Sequence, residues 1–395
     1  MGISSSSKSY SSTNIQVENV DETDITKTDG DYIYSISDNN VIITNVINPK
    51  KIKIEATINS LDESIPEDLV LYNNKLVIIS STGGSRYRYS KNNTIIRIYD
   101  ISTKSLPKLV KNYELYEPYY TSRRIDNRLY VIASGKLRVE KKKVIRIYKE
   151  DNLEKQIALN VFKYLKNVET NNQTLMSIVD LDKPEKDVKI NSFLIDISNA
   201  YVSENSIYLL NESYYNSYTK NYISKIFGIK GIFGLSDYEN DYYDDGSYRT
   251  EIYKFDILKN SDISYKAKNK VEGTTIDQYS LDEKDRHLRI ASYNEEGAKI
   301  TIFDSKLKQI GKSENVGKNG EMYSTRFIGN KAYLVTYKTI DPLFVIDLSN
   351  EKNPKEISKT VIGDSRTTSV VLTNSKALLF SKEKNLLAIP VNNYE

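Results

Sequence analysis

Seven times along the chain a polar turn pair is followed by one residue and then by a run of strand formers. Asp29-Gly30 precedes DYIYSI, Asn73-Asn74 precedes KLVIIS, Asp126-Asn127 precedes RLYVIA and Glu204-Asn205 precedes SIYLLN. Asp285-Arg286 precedes HLRIAS, Gly329-Asn330 precedes KAYLVT and Asn374-Ser375 precedes KALLFS. Asn, Asp and Gly tolerate the left-handed backbone that a two-residue hairpin requires. A second apolar run follows in most units: IIRIYDIS, VIRIYKED, EIYKFDIL, KITIFDSK, LFVIDLSN and NLLAIPVN, with VIITNVI in the first. The Asp that ends several of these runs is placed to accept hydrogen bonds from turn amides.

The runs are nearly continuous rather than alternating, the pattern of strands buried on both faces. Burying three large side chains per strand contributes roughly 5–9 kcal/mol before entropy, at about 1.5–3 kcal/mol each. A lone sheet cannot hide both faces, so the units are expected to stack. Their second turn residues, 30, 74, 127, 205, 286, 330 and 375, are spaced by 44, 53, 78, 81, 44 and 45. The short spacings match the ~40–50 residues of one propeller blade. The expectation is therefore an all-β fold, a β-propeller of four-stranded antiparallel blades. Seven blades are expected, with six or eight as alternatives. A flexible Ser-rich N-terminal linker would occupy residues 1–18 and the propeller residues 19–395.

The two long spacings require insertions, about residues 150–173 and 213–249, at least one of them helical. In Asn152–Asn167, Leu153, Ile157, Val161 and Leu165 recur every four residues, which predicts an amphipathic helix. The second insertion carries an apolar piece, Tyr222–Leu235, read as a packed surface helix ahead of a partner- or membrane-docking segment. An acidic piece follows, with Asp237, Glu239, Asp241, Asp244 and Asp245. Those oxygen ligands suit calcium, but their spacing misses the ordered EF-hand loop, and a solvated acidic loop is the simpler reading.

Composition narrows the chemistry. The 395 residues carry 56 basic and 53 acidic side chains, a formal charge of +3, so no global field favours nucleic acid or a membrane surface. The basic run Lys136–Arg146 reads as a solvated hairpin. Cysteine is absent, which excludes disulfides, thiol chemistry and Cys-type zinc sites. No stretch approaches the roughly 18–20 apolar residues of a membrane span. The N-terminus lacks the apolar core of a signal peptide. Gly2 and Ser6 fit a loose lipidation pattern, outweighed by the reading as a serine linker.

Only one histidine is present, His287, at the opening of a strand, so a Ser-His-Asp triad would have to use it, and no Gly-x-Ser-x-Gly elbow exists. Ser81–Ser85 is a glycine turn rather than a phosphate cradle. The 32 tyrosines, densest at Tyr113–Tyr120, raise sugar stacking, but Tyr, Lys, Asn and Ile are all abundant and codon bias accounts for them. The sequons at Asn92, Asn172 and Asn211 arise readily in so Asn-rich a chain.

The best polar constellation lies just upstream of the recurrent strands: Asp21, Glu22 and Asp24; Glu272, Gln278, Ser280, Asp282 and Glu283; Glu321, Ser324 and Arg326; Asp364 and Arg366. In a propeller such connections converge around the central channel. There the carboxylates would bind a cation or a basic peptide, with Arg326 and Arg366 balancing charge. The competing reading is structural, polar residues capping backbone groups and pinning neighbouring blades.

The blocks VDETDITKTDGDYIY, AYVSENSIYLL, VEGTTIDQYSLDE and DPLFVIDLSN, with NPKEI, VIGD and KALLFSKEKNLLAIPV, carry a family resemblance. They resemble archaeal and bacterial secreted proteins with a C-terminal β-propeller domain, distantly similar to WD-repeat propellers. The resemblance runs from about Asn14 to the C-terminus and is poor in the two insertions. It implies a secreted or cell-surface propeller of no established biochemical activity, and against it this chain is shorter by about a blade. The expected function is thus a non-catalytic, secreted or cell-surface scaffold that binds protein or assembles with itself. The competing class is a hydrolase or lyase with a carboxylate-lined channel, Glu272 and Asp282 serving as acid and base. No cofactor is expected beyond calcium at Asp237–Asp245; neither nucleic acid nor carbohydrate is an expected ligand.

Overall fold

The computed structural model of the chain describes residues 15–82, 93–140, 143–145, 147–158, 161–163, 165, 168, 170–214, 248–318, 320–337 and 341–362. Nearer the C-terminus it describes 367–368, 370, 377, 379–381, 386–388, 390 and 392–393. These fall into two compact units, one running to Asp196 and including Asn260–Asp262, the other holding the remainder from Ile197 onward.

The first unit holds three main sheets. Sheet 1 orders β2 (Thr26–Thr28), β3 (Tyr32–Ser37), β4 (Asn40–Asn45) and β5 (Lys53–Ile58) as successive antiparallel neighbours. Sheet 2 does the same with β6 (Ser64–Tyr72), β7 (Lys75–Thr82), β8 (Thr94–Asp100) and β9 (Lys108–Leu115). Sheet 3 is built on β10 (Tyr119–Ile125) and β11 (Arg128–Lys136), with β1 (Val20–Glu22) added beside β10. A small hairpin, β12 (Val139–Glu140) and β13 (Lys143–Val144), follows. The hairpin β14 (Ile147–Glu150) and β15 (Leu153–Gln156) then extends sheet 2 beyond β9. Strands β16 (Phe162–Lys163), β17 (Asn172–Asp180) and β18 (Lys189–Phe193) complete sheet 3, β16 lying parallel to β18.

The second unit repeats the plan. Sheet 4 is β19 (Asn199–Val202), β20 (Ser206–Tyr214), β21 (Tyr248–Ile257) and β22 (Ile263–Glu272). Sheet 5 is β23 (Leu281–Lys284), β24 (His287–Asn294), β25 (Gly297–Phe303) and β26 (Gln309–Lys312). Sheet 6 is β27 (Glu321–Ile328), β28 (Lys331–Tyr337), β29 (Asp341–Asp347) and β30 (Lys355–Ile362). Last come β31 (Thr367–Thr368), β32 (Leu379–Ser381), β33 (Leu386–Ala388) and β34 (Asn392–Asn393), paired β31 with β34 and β32 with β33. The architecture is all-β: sheets 1, 4, 5 and 6 are four-stranded and antiparallel, and sheets 2 and 3 are enlarged to six strands.

In sheets 1, 2, 4, 5 and 6 the recurrent runs supply the second and third strands, apolar because each packs on both faces. In sheet 3 RLYVIA forms β11, but the run VIRIYKED goes instead to β14 at the edge of sheet 2 and β17 takes its place. In β7, Leu76 and Ile78 join the core shared with sheet 1 (Tyr34, Val41, Ile43), while Val77 and Ile79 join the core shared with sheet 3 (Leu129, Val131, Leu175). The period-2 geometry of a strand sends alternate side chains to opposite faces, and here both faces are interior. Five of the turn pairs behave as expected, with Gly30, Asn73, Asp126, Asp285, Arg286 and Gly329 at positive φ between 49° and 90°; Glu204-Asn205 turns without one, and Asn374-Ser375 lies outside the described residues.

The strand-ending Asp residues cap the turns that follow. Asp100 accepts from the Ser102 amide at 2.8 Å, Asp304 from the Lys306 and Lys308 amides at 2.8 Å each, and Asp347 from Ser349 at 2.9 Å. Those bonds, led by the Ser102 amide at Asp100, the Lys308 amide at Asp304 and the Ser349 hydroxyl at Asp347, hold all three carboxyls below the usual range. A depressed folded pKa contributes stability above the unfolded value and loses it as pH falls through the folded one. The urea midpoint is therefore expected to drop as pH is lowered below about 4. Converting the three to Asn should flatten that drop; an unchanged slope would contradict the capping role.

The expected helix at Asn152–Asn167 is not present. Leu153–Gln156 is the edge strand β15 and Phe162–Lys163 the strand β16, and no α-helix occurs among the described residues. Asp151 and Asn152, with φ of 48° and 68°, form the tight turn of the β14–β15 hairpin, whose backbone pairs with the open edge of β9. A spacing of four is a multiple of two, so it marks one face of a strand as well as one face of a helix. The segment Tyr222–Leu235 lies outside the described residues.

Candidate functional site

The first unit carries a cavity of about 520 Å3, lined by Glu18, Asp21, Lys27, Asp29, Arg124 and Asp126 among others. Strand β1 builds one wall by pairing with β10 so that Asp21 faces Arg124 and Glu22 faces Arg123. Opposite charges directly across a ladder favour that register. Lys27 approaches from β2 and is itself buried; its Nζ donates to Asp21 Oδ1 at 2.9 Å and to the Glu22 carbonyl. Arg124 donates from Nε to Asp21 Oδ2 at 3.2 Å and from Nη1 to the Asp126 carbonyl at 2.7 Å, and lies over the Tyr72 ring. Asp21 is thus neutralised from both sides.

Asp29 is the second held carboxylate. It accepts from the amides of Asp31 (3.1 Å) and Tyr32 (2.8 Å) and from the Tyr34 hydroxyl (2.8 Å), with Lys104 Nζ at 3.4 Å. Partial burial opposes its ionisation, but the tyrosine, the two amides and the lysine together hold it below the usual range. Glu18 and Asp126 are exposed at the cavity, and neither carboxylate is engaged by a described side chain. The cavity therefore presents four carboxylates against two cations.

Beside it, Asp68 on β6 accepts from the Tyr119 hydroxyl at 2.6 Å, and Tyr119 contacts Ser122 Oγ at 2.9 Å. Burial pushes the Asp68 carboxyl up even though Tyr119, Thr23 and Arg123 favour its charged form. Asp24 reaches the same strand through a backbone bridge with Leu69, and its side chain accepts from the Ile25 amide at 2.7 Å. Glu22 is buried and accepts from the Gln16 amide at 3.0 Å.

The candidates of the second unit are each taken up locally. Glu272, at the end of β22, binds Lys299 Nζ at 2.5 Å, and this contact draws its carboxyl down. Asp282 on β23 binds the guanidinium of Arg289, with Nε at 2.8 Å; burial raises its carboxyl and Arg289 opposes the rise. Glu283 accepts from the Tyr208 hydroxyl at 2.6 Å, and its amide donates to Tyr201. Gln278 and Ser280 form a short 3-10 turn, with Ser280 Oγ accepting from Ile276 at 3.1 Å. Arg326 stacks over Tyr279 of that turn at 3.7 Å, which brings β27 against it. Glu321 accepts from the Tyr323 hydroxyl at 3.1 Å. Asp364, Arg366 and the calcium candidates Asp237, Glu239, Asp241, Asp244 and Asp245 lie outside the described residues. Among the described residues no group of three or more His, Asp or Glu is arranged to hold a metal ion.

Sequence reasoning singled out Asp21, Glu22 and Asp24 but missed Lys27, Asp29, Asp68, Arg124 and Asp126 as cavity or neighbouring residues. Asp29 and Asp126 were visible as hairpin turn residues, and that turn chemistry masked their second position on the cavity wall.

Multiple four-stranded antiparallel sheets packed through their apolar second and third strands define a repeat protein of the propeller class. The chain belongs to the beta propeller domain family, whose model matches residues 10–357 and 349–395. It is 27% identical over 405 residues to an uncharacterized protein of Methanocaldococcus jannaschii, covering 89% of this chain and 62% of that one. It is likewise 27% identical over 416 residues to an uncharacterized protein of Archaeoglobus fulgidus, covering 89% and 64%. The chain thus spans less than two thirds of either relative. Among solved structures it is similar to Kluyveromyces lactis Hsv2p, with a TM-score of 0.41, 10% identity and coverage of 94% of this chain and 98% of that one. It is also similar to the C-terminal WD40 domain of Sif2, with a TM-score of 0.32, 7% identity and coverage of 87% and 89%.

Proposed function

We propose that the chain is a seven-bladed, non-catalytic propeller that binds a protein partner through that partner's basic side chains. The observation that carries this reading is the charge arrangement of the 520 Å3 cavity. Lys27 and Arg124 are consumed by Asp21, so Glu18 and Asp126 are left to meet a cation. A cavity of that size accepts several side chains. Non-catalytic use is supported by Glu272 and Asp282, each tied to its own cation, Lys299 or Arg289. A general acid or base must instead reach a substrate proton. Seven blades are supported by the seven turn-and-strand copies in the sequence and by the strand pairs that follow sheet 6.

The test is fluorescence anisotropy with labelled Lys/Arg-rich and Glu-rich peptides across a salt series. The basic peptide is expected to bind and weaken with salt. Glu18→Lys with Asp126→Lys should lower its affinity about tenfold or more, since charge reversal at an interface costs kcal/mol-scale energies. Equal binding of both peptides, or affinity unmoved by the double variant, would remove the proposal. The family resemblance supports a secreted or cell-surface location. Protease treatment of intact cells should then degrade the protein, whereas full protection would place it inside.

A further inference from the structure

The end of the first unit that holds the 520 Å3 cavity also carries exposed apolar and basic side chains. The β2–β3 turn makes them neighbours. Asp29 of that turn lines the cavity and pairs with Lys104 Nζ at 3.4 Å, which ties it to residues 101–107 between β8 and β9. Asp31 accepts from the Val46 amide at 3.0 Å, which ties the same turn to residues 46–52 between β4 and β5. Strand order sets the sides: β2 borders the cavity, and the β4–β5 loop lies across β3 from it.

On the outer side Ile47, Ile52 and Leu106 are 53%, 59% and 61% exposed. Lys50 and Lys51 are exposed between the two isoleucines, and no described side chain engages either. On the inner side stand Glu18 and Asp126, the cavity carboxylates left unpaired by described side chains, with Ile15 and Leu71 in the same wall. One surface therefore bears two cations, two anions and apolar groups beside each pair. Exposed apolar groups rimmed by charge mark contacts with other molecules.

We propose that this surface is a two-fold dimer interface: the partner is a second copy of the chain, whose Lys50 and Lys51 enter the cavity opposite Glu18 and Asp126. The inference rests on the reading of the cavity as a site for basic side chains and names their source. A two-fold interface must be complementary to itself, and this surface meets that condition. An axis through the β2–β3 turn lays the outer side of each copy on the inner side of the other. Each copy then gives two lysines and receives two, while Ile47 and Ile52 leave water against Ile15 and Leu71. An anionic lipid surface fits less well, because Glu18 and Asp126 would be pressed against like charge.

Sedimentation velocity of the full chain at low salt is expected to show a dimer that dissociates as salt is raised. Lys50→Glu with Lys51→Glu should fold, since both side chains are exposed, and should weaken dimerisation about tenfold or more. Glu18→Lys with Asp126→Lys should do the same. Mixed one to one, the two charge-reversed chains should form a heterodimer, because every facing pair is again opposite in sign. A wild-type chain that stays monomeric, a dimer indifferent to both reversals, or a mixture that fails to associate would each overturn the proposal. So would a monomer captured by anionic vesicles, which would make a lipid surface the partner. A monomer that still binds the basic peptide ends this inference alone; one that binds neither copy nor peptide ends the cavity reading with it.

Discussion

Gly273→Val is expected to lower stability by on the order of 4 kcal/mol, combining a side chain forced into the left-handed region with an overpacked contact. Gly273 has a φ of +85°, and a Cβ there would lie 2.2 Å from the Tyr293 carbonyl oxygen and 2.7 Å from its carbon. Neither backbone can retreat. Thr274 and Tyr293 exchange two hydrogen bonds of 3.0 Å, the Gly273 amide donates to Tyr248 at 2.8 Å, and its carbonyl accepts from Thr250 Oγ1 at 2.7 Å. Gly329 provides the control. Its φ is +59° but nothing lies within 4 Å of the added Cβ, so Gly329→Ala should cost only the backbone strain, about 1–2 kcal/mol. Urea melts of the two variants check the difference. Equal losses would mean that the close approach of Gly273 to Tyr293 is wrong.

Arg289→Met should be nearly as damaging. Arg289 is 3% exposed, and its guanidinium binds Asp282, donates to the Gly329 carbonyl at 2.7 Å and lies over the Phe327 ring. It joins β24 to the first hairpin of sheet 6. Removing the guanidinium leaves Asp282, whose side chain is 24% exposed, without its cation, so the loss should approach but not exceed the ~3–5 kcal/mol of a fully buried pair. Adding Asp282→Asn should recover part of that loss, and the coupling measured by the double-mutant cycle gives the pair's worth. The sign of the pH response is fixed as well. In the single variant the Asp282 carboxyl, already raised by burial, would ionise less readily in the folded chain than in the unfolded one. The deficit of the single variant should therefore shrink as pH falls. A deficit independent of pH, with no recovery in the double variant, would show that Arg289 matters through packing alone.

The central strands could be read from the chain because burial on two faces leaves an uninterrupted apolar run, and the turn pairs mark where each begins. The capping Asp residues were equally plain, since their role needs only the two or three amides that follow. Asn152–Asn167 misled because its four-residue apolar spacing satisfies both strand and helix, and only the open edge of β9 decided between them. The cavity of the first unit was mostly hidden. Its walls come from β1, β2, the end of β6 and the turn after β10, and no local pattern announces that Lys27 and Arg124 meet at Asp21. In the second unit the carboxylates were found but their cations were not. Arg289 stands in HLRIAS and Lys299 in KITIF, where a charge inside an apolar strand is itself the sign of a buried partner.

The β14–β15 hairpin changes what sheet 2 shows to other molecules. Without it the outermost strand would be β9, whose Leu109 and Val110 are already 47% and 44% exposed beside a row of open amides and carbonyls. Such a border can recruit any extended chain and seed fibrils. The hairpin covers the Tyr113–Leu115 end of that edge, where the border becomes Leu153, Glu154, Lys155 and Gln156 with Lys155 anchored by Glu150 and Asp187, and leaves Leu109 and Val110 on the uncovered end. The new rim is only four residues long and carries Glu154 and Lys155, so over that end of β9 the hairpin shortens the edge open to templated pairing.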